Sequence, residues 1–269
     1  MKLGKRSLIM ALSLVLAMTL SVFGTVAYLT STAQATNTFT VGDVEIKLDE
    51  TDVTEEGDPI YDLDGDGTPD VSVDDDGNIT VLPDSSVPED EIPEKGEIDE
   101  DGNLIIDGED PIPPVRDTEN EYNLVPGEEY LKDPTVTVLE GSEESYVRIK
   151  VTLTNVAAVK AALGCEAGDV LGLVAPDLNT ADWALAGIVE DTTADTVVYE
   201  FRYPETVSGK DGEVVLPALF ETFQVPGTVD NEGLQAFAGM QMIVDGHAIQ
   251  AAALADADAA WAAFDGQMN

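Results

Sequence analysis

Residues 146–154, Tyr146-Val147-Arg148-Ile149-Lys150-Val151-Thr152-Leu153-Thr154, alternate apolar and polar side chains along most of their length. Successive side chains of a β-strand point to opposite faces, so Val147, Ile149, Val151 and Leu153 share one face while Arg148 and Lys150 share the other. The same reading extends upstream to Thr135–Leu139 and downstream to Trp183–Val189, Thr196–Tyr203, Phe220–Val225 and Met240–Ala251. Short helices are predicted over Val156–Leu163 and Asp256–Phe264. On the second, Trp261 and Phe264 stand three apart and read as a face packed on the sheet rather than a ligand platform. Many short strands separated by Gly, Pro and Asn turns predict an all-β fold, a β-sandwich with a few short helices. Residues 122–269 carry its main part, and 148 residues are enough for one hydrophobic core.

Upstream, residues 28–48 form an N-terminal strand segment. Thr38–Leu48 alternates as Phe39, Val41, Val44, Ile46 and Leu48 with a slip at Gly42-Asp43, which predicts one strand with a turn or bulge at the glycine. Residues 49–121 differ in character. They hold 28 acidic residues against Lys95 and Arg116, and eight of the 14 prolines. Their apolar residues come in short clusters, so the segment is expected to bury no core and to act as a flexible, acidic, Asp/Gly/Pro-rich insertion. Within it, Asp76-Gly77-Asn78-Ile79-Thr80-Val81 is echoed by Asp101-Gly102-Asn103-Leu104-Ile105-Ile106, and both predict small hairpins.

The first 27 residues read as a signal peptide. Lys2, Lys5 and Arg6 precede an uncharged, largely apolar run from Ser7 to Phe23, and Thr25-Val26-Ala27 places small residues for a cut between Ala27 and Tyr28. A second candidate cut lies at Ala33-Gln34-Ala35. The apolar run is shorter than the roughly 20 residues of a membrane span. The expectation is therefore export through a signal peptidase, with no stable membrane span after cleavage. Cleavage removes three of the 12 basic residues and none of the 54 acidic ones, leaving 9 against 54, a formal charge of −45. Such a surface repels nucleic acid and anionic lipid and draws in cations, so nucleic-acid binding is not expected. The lone Cys165 excludes an intramolecular disulfide.

The motif with the most chemistry is Asp62-Leu63-Asp64-Gly65-Asp66-Gly67-Thr68-Pro69-Asp70. Numbered as a calcium loop, it places carboxylates of Asp62, Asp64, Asp66 and Asp70 at positions 1, 3, 5 and 9, and Gly67 at the sharp turn of position 6. Thr68 would contribute its backbone carbonyl. Position 12 is Val73, so the usual bidentate glutamate is missing, and Pro69 argues against an EF-hand helix pair. Weak calcium binding is expected, at about 10⁻⁴ to 10⁻³ M as in extracellular modules. Degenerate copies at Asp74 and Asp99 are not expected to bind. No catalytic residues are assigned. His247 is the only histidine, whereas a zincin needs two histidines with a glutamate between them. No Gly-x-Ser-x-Gly turn accompanies His247 and Asp245, and carboxylates beside Cys165 raise a thiol pKa.

Three sets of residues together resemble the TasA/camelysin family of secreted proteins from Gram-positive bacteria with a SipW-type signal peptide. The first is Gly24-Thr25-Val26-Ala27-Tyr28-Leu29-Thr30 running into Asn37-Thr38-Phe39-Thr40-Val41-Gly42-Asp43-Val44. The second is Asn123-Leu124-Val125-Pro126-Gly127, followed by Lys132-Asp133-Pro134-Thr135-Val136-Thr137-Val138 and the strand at Tyr146. The third is His247-Ala248-Ile249-Gln250-Ala251 with Ala260-Trp261. The acidic segment lies outside the resemblance. The resemblance implies a jelly-roll sandwich at the cell surface and self-assembly into biofilm-matrix fibres. Separately, the apolar alternation of Tyr28–Leu48, at a terminus that cleavage would free, predicts a strand that can be donated to a neighbour. The alternative is a monomeric, surface-displayed binding module; a secreted peptidase is disfavoured.

Overall fold

The computed structural model describes residues 30–34, 37–39 and 44–268, apart from 107, 109, 119 and 253. The expected signal peptide and its cleavage pair, Ala27 and Tyr28, lie outside the described residues. Strands run in chain order as β1 (Thr30–Gln34), β2 (Asn37–Phe39), β3 (Ile46–Thr51), β4 (Ile60–Tyr61), β5 (Val71–Val73), β6 (Ile79–Val81), β7 (Glu97–Ile98), β8 (Leu104–Ile105) and β9 (Arg116–Asp117). There follow β10 (Glu129–Leu131), β11 (Thr135–Val138), β12 (Ser145–Thr154), β13 (Ala184–Asp191), β14 (Thr196–Arg202), β15 (Val214–Val215), β16 (Thr222–Gln224) and β17 (Met242–Gln250). The helices are α1 (Val156–Leu163), α2 (Val170–Val174), α3 (Asn231–Phe237) and α4 (Ala257–Met268). The fold is β-rich, as expected, and its sheets are antiparallel.

The large sheet has the order β13-β14-β12-β17-β1-β2, and a second sheet has the order β15-β11-β3-β9. β12 is the organising strand. It pairs with β17 over nine residues, from Ser145↔Gln250 to Leu153↔Met242, and with β14 along its other edge. Val147, Ile149, Val151 and Leu153 are fully buried, and Ile46, Val136 and Val138 of the second sheet are equally closed off across the same core. Burying a side chain of this size stabilises the fold by about 1.5–3 kcal/mol. Gly246 marks how closely the sheets approach. A Cβ there would sit 3.4 Å from Val136 Cγ2 and 3.5 Å from Leu48 Cβ, so a larger side chain would wedge the sheets apart. At the end of β12 the chain turns through Asn155, in the left-handed region at φ 55°, directly into α1, whose Val156 and Val159 join the core.

Two expectations are corrected. Thr38–Leu48 is not one bulged strand. β2 lies in the large sheet and β3 in the second, and Val44, Ile46 and Leu48 are buried in the core of their own chain. A slip of one position in an alternating pattern reverses which face is apolar, and here it accompanies a change of sheet. The acidic segment, in turn, does bury a core. Tyr61, Val71, Val73 and Leu104 are closed off, with Leu63, Ile79, Ile92, Ile106 and Ile112 packed around them. These residues are scattered along the chain, and it is the hairpins β5–β6 and β7–β8 that gather them. The boundaries move accordingly. β3 runs on to Thr51 and β9 returns to the same sheet, so the folded insertion spans 52–115, its ends joined by Asp52 N–H donating to Val115 O at 2.8 Å.

Both tryptophans, Trp183 and Trp261, lie outside the insertion, so their fluorescence reports the sandwich alone. Leu104→Ala, a truncation worth about 2–5 kcal/mol in a packed site, is expected to abolish slow amide exchange at 71–81 while leaving the tryptophan-detected urea transition in place. Retained protection at 71–81 would mean that the small core does not hold the insertion together.

Candidate metal site and buried ionic clusters

The loop 62–70 brings together three of the four carboxylates expected of it. One oxygen each from Asp62, Asp64 and Asp70 lies within 4.8 Å of the others. Backbone geometry makes this arrangement. Asp62 accepts the N–H groups of Gly65 and Gly67 at 2.8 Å each, and both glycines take positive φ, 73° and 90°. Asp70 is fully buried and the most heavily bonded of the three. It accepts from Leu63 N–H at 2.8 Å, Ser85 Oγ–H at 2.7 Å, Ser86 N–H at 2.9 Å and Val87 N–H at 3.3 Å. Burial opposes its charge, but these donors hold its carboxyl below the ordinary range, so it is ionised and aimed at the loop. Ser86 Oγ–H also donates to Asp64 at 3.1 Å. The two serines come from the loop after β6 and carry no cation-binding signature of their own in the sequence.

Asp66 is outside the cluster; its Oδ1 accepts the N–H of Thr68 at 2.7 Å, which stiffens the loop instead. The three clustered carboxylates suit a hard cation: a carboxylate oxygen that accepts one N–H keeps a second lone pair, and six to eight oxygens can be completed by carbonyls and water. The copies differ. Asp74 accepts the side-chain amide of Asn78 at 2.7 Å, and Asp99 that of Asn103 at 3.0 Å. The neutral amide takes the place of a cation there and holds both carboxyls below their ordinary range. These are hairpin turns of one design.

His247 and Arg148, opposite each other in β17 and β12, lie on the outer face of the large sheet beneath α4. Arg148 is 1 % exposed. Its guanidinium carbon stands 4.4 Å from the Trp261 ring centre and 4.9 Å from that of Phe264. It donates through Nε to His247 Nδ1 at 3.3 Å, to Glu200 at 3.3 Å and to both oxygens of Asp265. Burial, then Arg148 and Lys150, push the imidazole down to about 3, so His247 is neutral and an acceptor at Nδ1. A histidine so covered and so bonded is structural.

A second set of ions clamps the base of the insertion. Arg116 of β9 donates to Asp49 at 2.8 Å and Asp133 at 2.9 Å, while Lys132 donates to both oxygens of the buried Glu50 at 2.8 and 2.6 Å. Asn120 adds a bond to Glu50 at 3.1 Å. Beside this clamp a cleft of about 760 Å³ runs along β3 and the start of β17, lined among others by Glu50, Tyr122, Lys132, Phe223, Phe237 and Met242. Sequence reasoning found Lys132 and Asp133 only as part of a motif; Arg116 gave no signal, because its partners are more than 60 residues away or across a loop. The Cys165 thiol is pushed up by burial and then by Asp169 and Glu166, which makes it a poor nucleophile.

No protein-family model matches the chain, and no match was found among curated proteins or solved structures.

Two expectations follow from this chemistry. Asp64→Asn should weaken cation binding severalfold in calorimetry, whereas Asp66→Asn should change it little; equal effects would mean diffuse attraction by acidic charge. The second concerns pH. The unfolded chain takes up a proton on histidine near pH 6.5 and the folded chain only near 3, so the unfolded state binds more protons in between. Stability from His247 is then complete above pH 6.5 and declines as pH falls towards 3. In urea midpoints between pH 6.5 and about 4.5, above the bulk of carboxylate titration, His247→Gln should flatten that decline.

Proposed function

We propose that this chain is an exported structural protein of a Gram-positive cell surface or extracellular matrix, similar to the TasA/camelysin family, which assembles into fibres and carries a calcium-responsive acidic insertion. In this reading the two sheets form a sandwich of the jelly-roll type, and Asp62, Asp64 and Asp70 hold the calcium with the loop backbone around Thr68. The ion would screen carboxylates that otherwise repel one another.

The observation that carries the assembly reading is the place of β1. It adds to the edge of β17 through five antiparallel pairs, Thr30↔Ile249 to Gln34↔Asp245, and it lies at the extreme N-terminal side of the described fold. The pairing with β1 stops at Asp245, and the start of β17 at Met242–Val244 lines the cleft. An edge that accepts a terminal strand of its own chain can accept the same strand from a neighbour, because the backbone bonds are identical. The donated part is narrower than Tyr28–Leu48, since Val44, Ile46 and Leu48 are built into the core; it lies upstream of Val44. Head-to-tail exchange of this kind does not close and so yields filaments. The five pairs that β1 makes within its own chain favour the alternative, a monomeric surface-displayed binding module, if that strand never leaves. A peptidase draws no support from His247, which is sealed beneath α4.

Electron microscopy of the chain cleaved before Tyr28, with and without calcium, separates these readings. Filaments that vanish on deletion of 28–40, while the tryptophan-detected unfolding transition persists, are expected. Monomers throughout, or filaments unaffected by the deletion, would overturn strand donation.

A further inference from the structure

β13 is an edge strand of the large sheet and has a character unlike any other edge. Its eight residues, Ala184-Leu185-Ala186-Gly187-Ile188-Val189-Glu190-Asp191, pair with β14 on one side only. Every other edge strand among the described residues is two or three residues long. Leu185, Ile188 and Val189 are 51, 42 and 66 % exposed. From Trp183 to Val189 there is no charged side chain, in a chain whose formal charge is −42. A long apolar edge presents unpaired N–H and C=O groups, a template that proteins ordinarily blunt with charge.

We propose that β13 is a docking edge for a second copy of this chain, pairing antiparallel about a two-fold axis through Ile188. In that register Ile188 meets its own copy, and Val189 lies opposite Gly187, where the missing side chain makes room for the branched one. Antiparallel pairing sends the two Glu190-Asp191 ends to opposite ends of the joint, whereas parallel pairing would stack acid on acid. Each acidic end then approaches the uncharged Ala184 end of the other copy, where Arg202, the β14 partner of Ala184, is paired with Glu200 and Asp258 of its own chain. Across the rest of the surface two such acidic chains repel; this uncharged edge is where they approach at least cost. A basic partner, by contrast, would find no carboxylate between Trp183 and Val189 to fix it. The irregular register between Leu185 and Gly187 limits the ladder, so the joint is short and the dimer weak, with a dissociation constant of roughly 10 μM to 1 mM. This contact is independent of strand donation by β1, and in a fibre it would join filaments side by side.

The test is sedimentation velocity of the chain cleaved before Tyr28, after any filaments are pelleted, as a function of protein and salt concentration. A monomer–dimer equilibrium is expected that strengthens with salt, because salt screens the repulsion between like-charged copies. Ile188→Glu, which places two carboxylates on the axis, should weaken it at least tenfold with the melting temperature little changed. As a positional check, Ile188→Cys in a Cys165→Ser background should oxidise to a covalent dimer, and Val215→Cys on the edge strand of the other sheet should not. A parent monomeric at all concentrations, association that weakens with salt, or an Ile188→Glu variant that dimerises like the parent would each overturn the proposal. Failure of strand donation is read separately, from the 28–40 deletion.

Discussion

The fold depends on β12 being hydrogen-bonded along both edges while each of its faces is sealed by a different layer. Its inward face, Val147 to Leu153, closes the core against β3 and β11. Its outward face carries Arg148, a charge that no sheet can bury alone. The helix α4 covers it, and the cost of removing the guanidinium from water is offset by two aromatic faces, the carboxylates of Glu200 and Asp265 and the imidazole of His247. Removing one partner of such a set typically costs about 3–5 kcal/mol because it leaves a buried charge uncompensated. The single histidine of the chain is thus held by packing and by its bond to Arg148.

The insertion shows how an acidic segment can fold without many apolar residues. Asp–Asn side-chain bonds and positive-φ glycines at Gly77 and Gly102 fix two equivalent turns, which supply the hairpins that gather a small core. Local turn chemistry thus reduces the entropy that so few buried side chains would have to overcome. The ionic clamp of Arg116 and Lys132 fastens this unit to the sandwich, and the carboxylates of 62–70 lie in its first long loop. A cation bound there would act on the insertion directly and on the rest of the fold through the clamp and through the bonds that join Glu55 to Asn123.

Charge and edges together set how such a molecule can meet its own copies. In the proposed assembly, repulsion between strongly acidic surfaces would favour backbone pairing at strand edges as the means of association. Two strand edges of one sheet bear on this, that of β17, which pairs with β1, and the outer edge of β13, at opposite sides of β12. Contacts on opposite edges of one sheet extend the same hydrogen-bonded ladder, so neither obstructs the other.

By itself the sequence determined the strands and helices that obey a strict period: β12, β14 and β17, and α1 with its residues 156–163, all stand within one or two residues of where alternation puts them. It also determined the turn-forming repeats and the crowding of carboxylates in the loop 62–70, because those rest on residues adjacent in the chain. Tertiary structure alone decided that Arg148 and Lys150, a polar face by pattern, lie under a helix; that the 38–48 pattern is divided between two sheets; and that Asp66 stands outside the cluster of Asp62, Asp64 and Asp70. It alone recruited Ser85 and Ser86 to that site and Arg116 to Asp49 and Asp133. The reason is range. Periodicity and turn chemistry act over a few residues, whereas desolvation of a charge and the closing of a core are settled by whatever distant segment arrives to cover them.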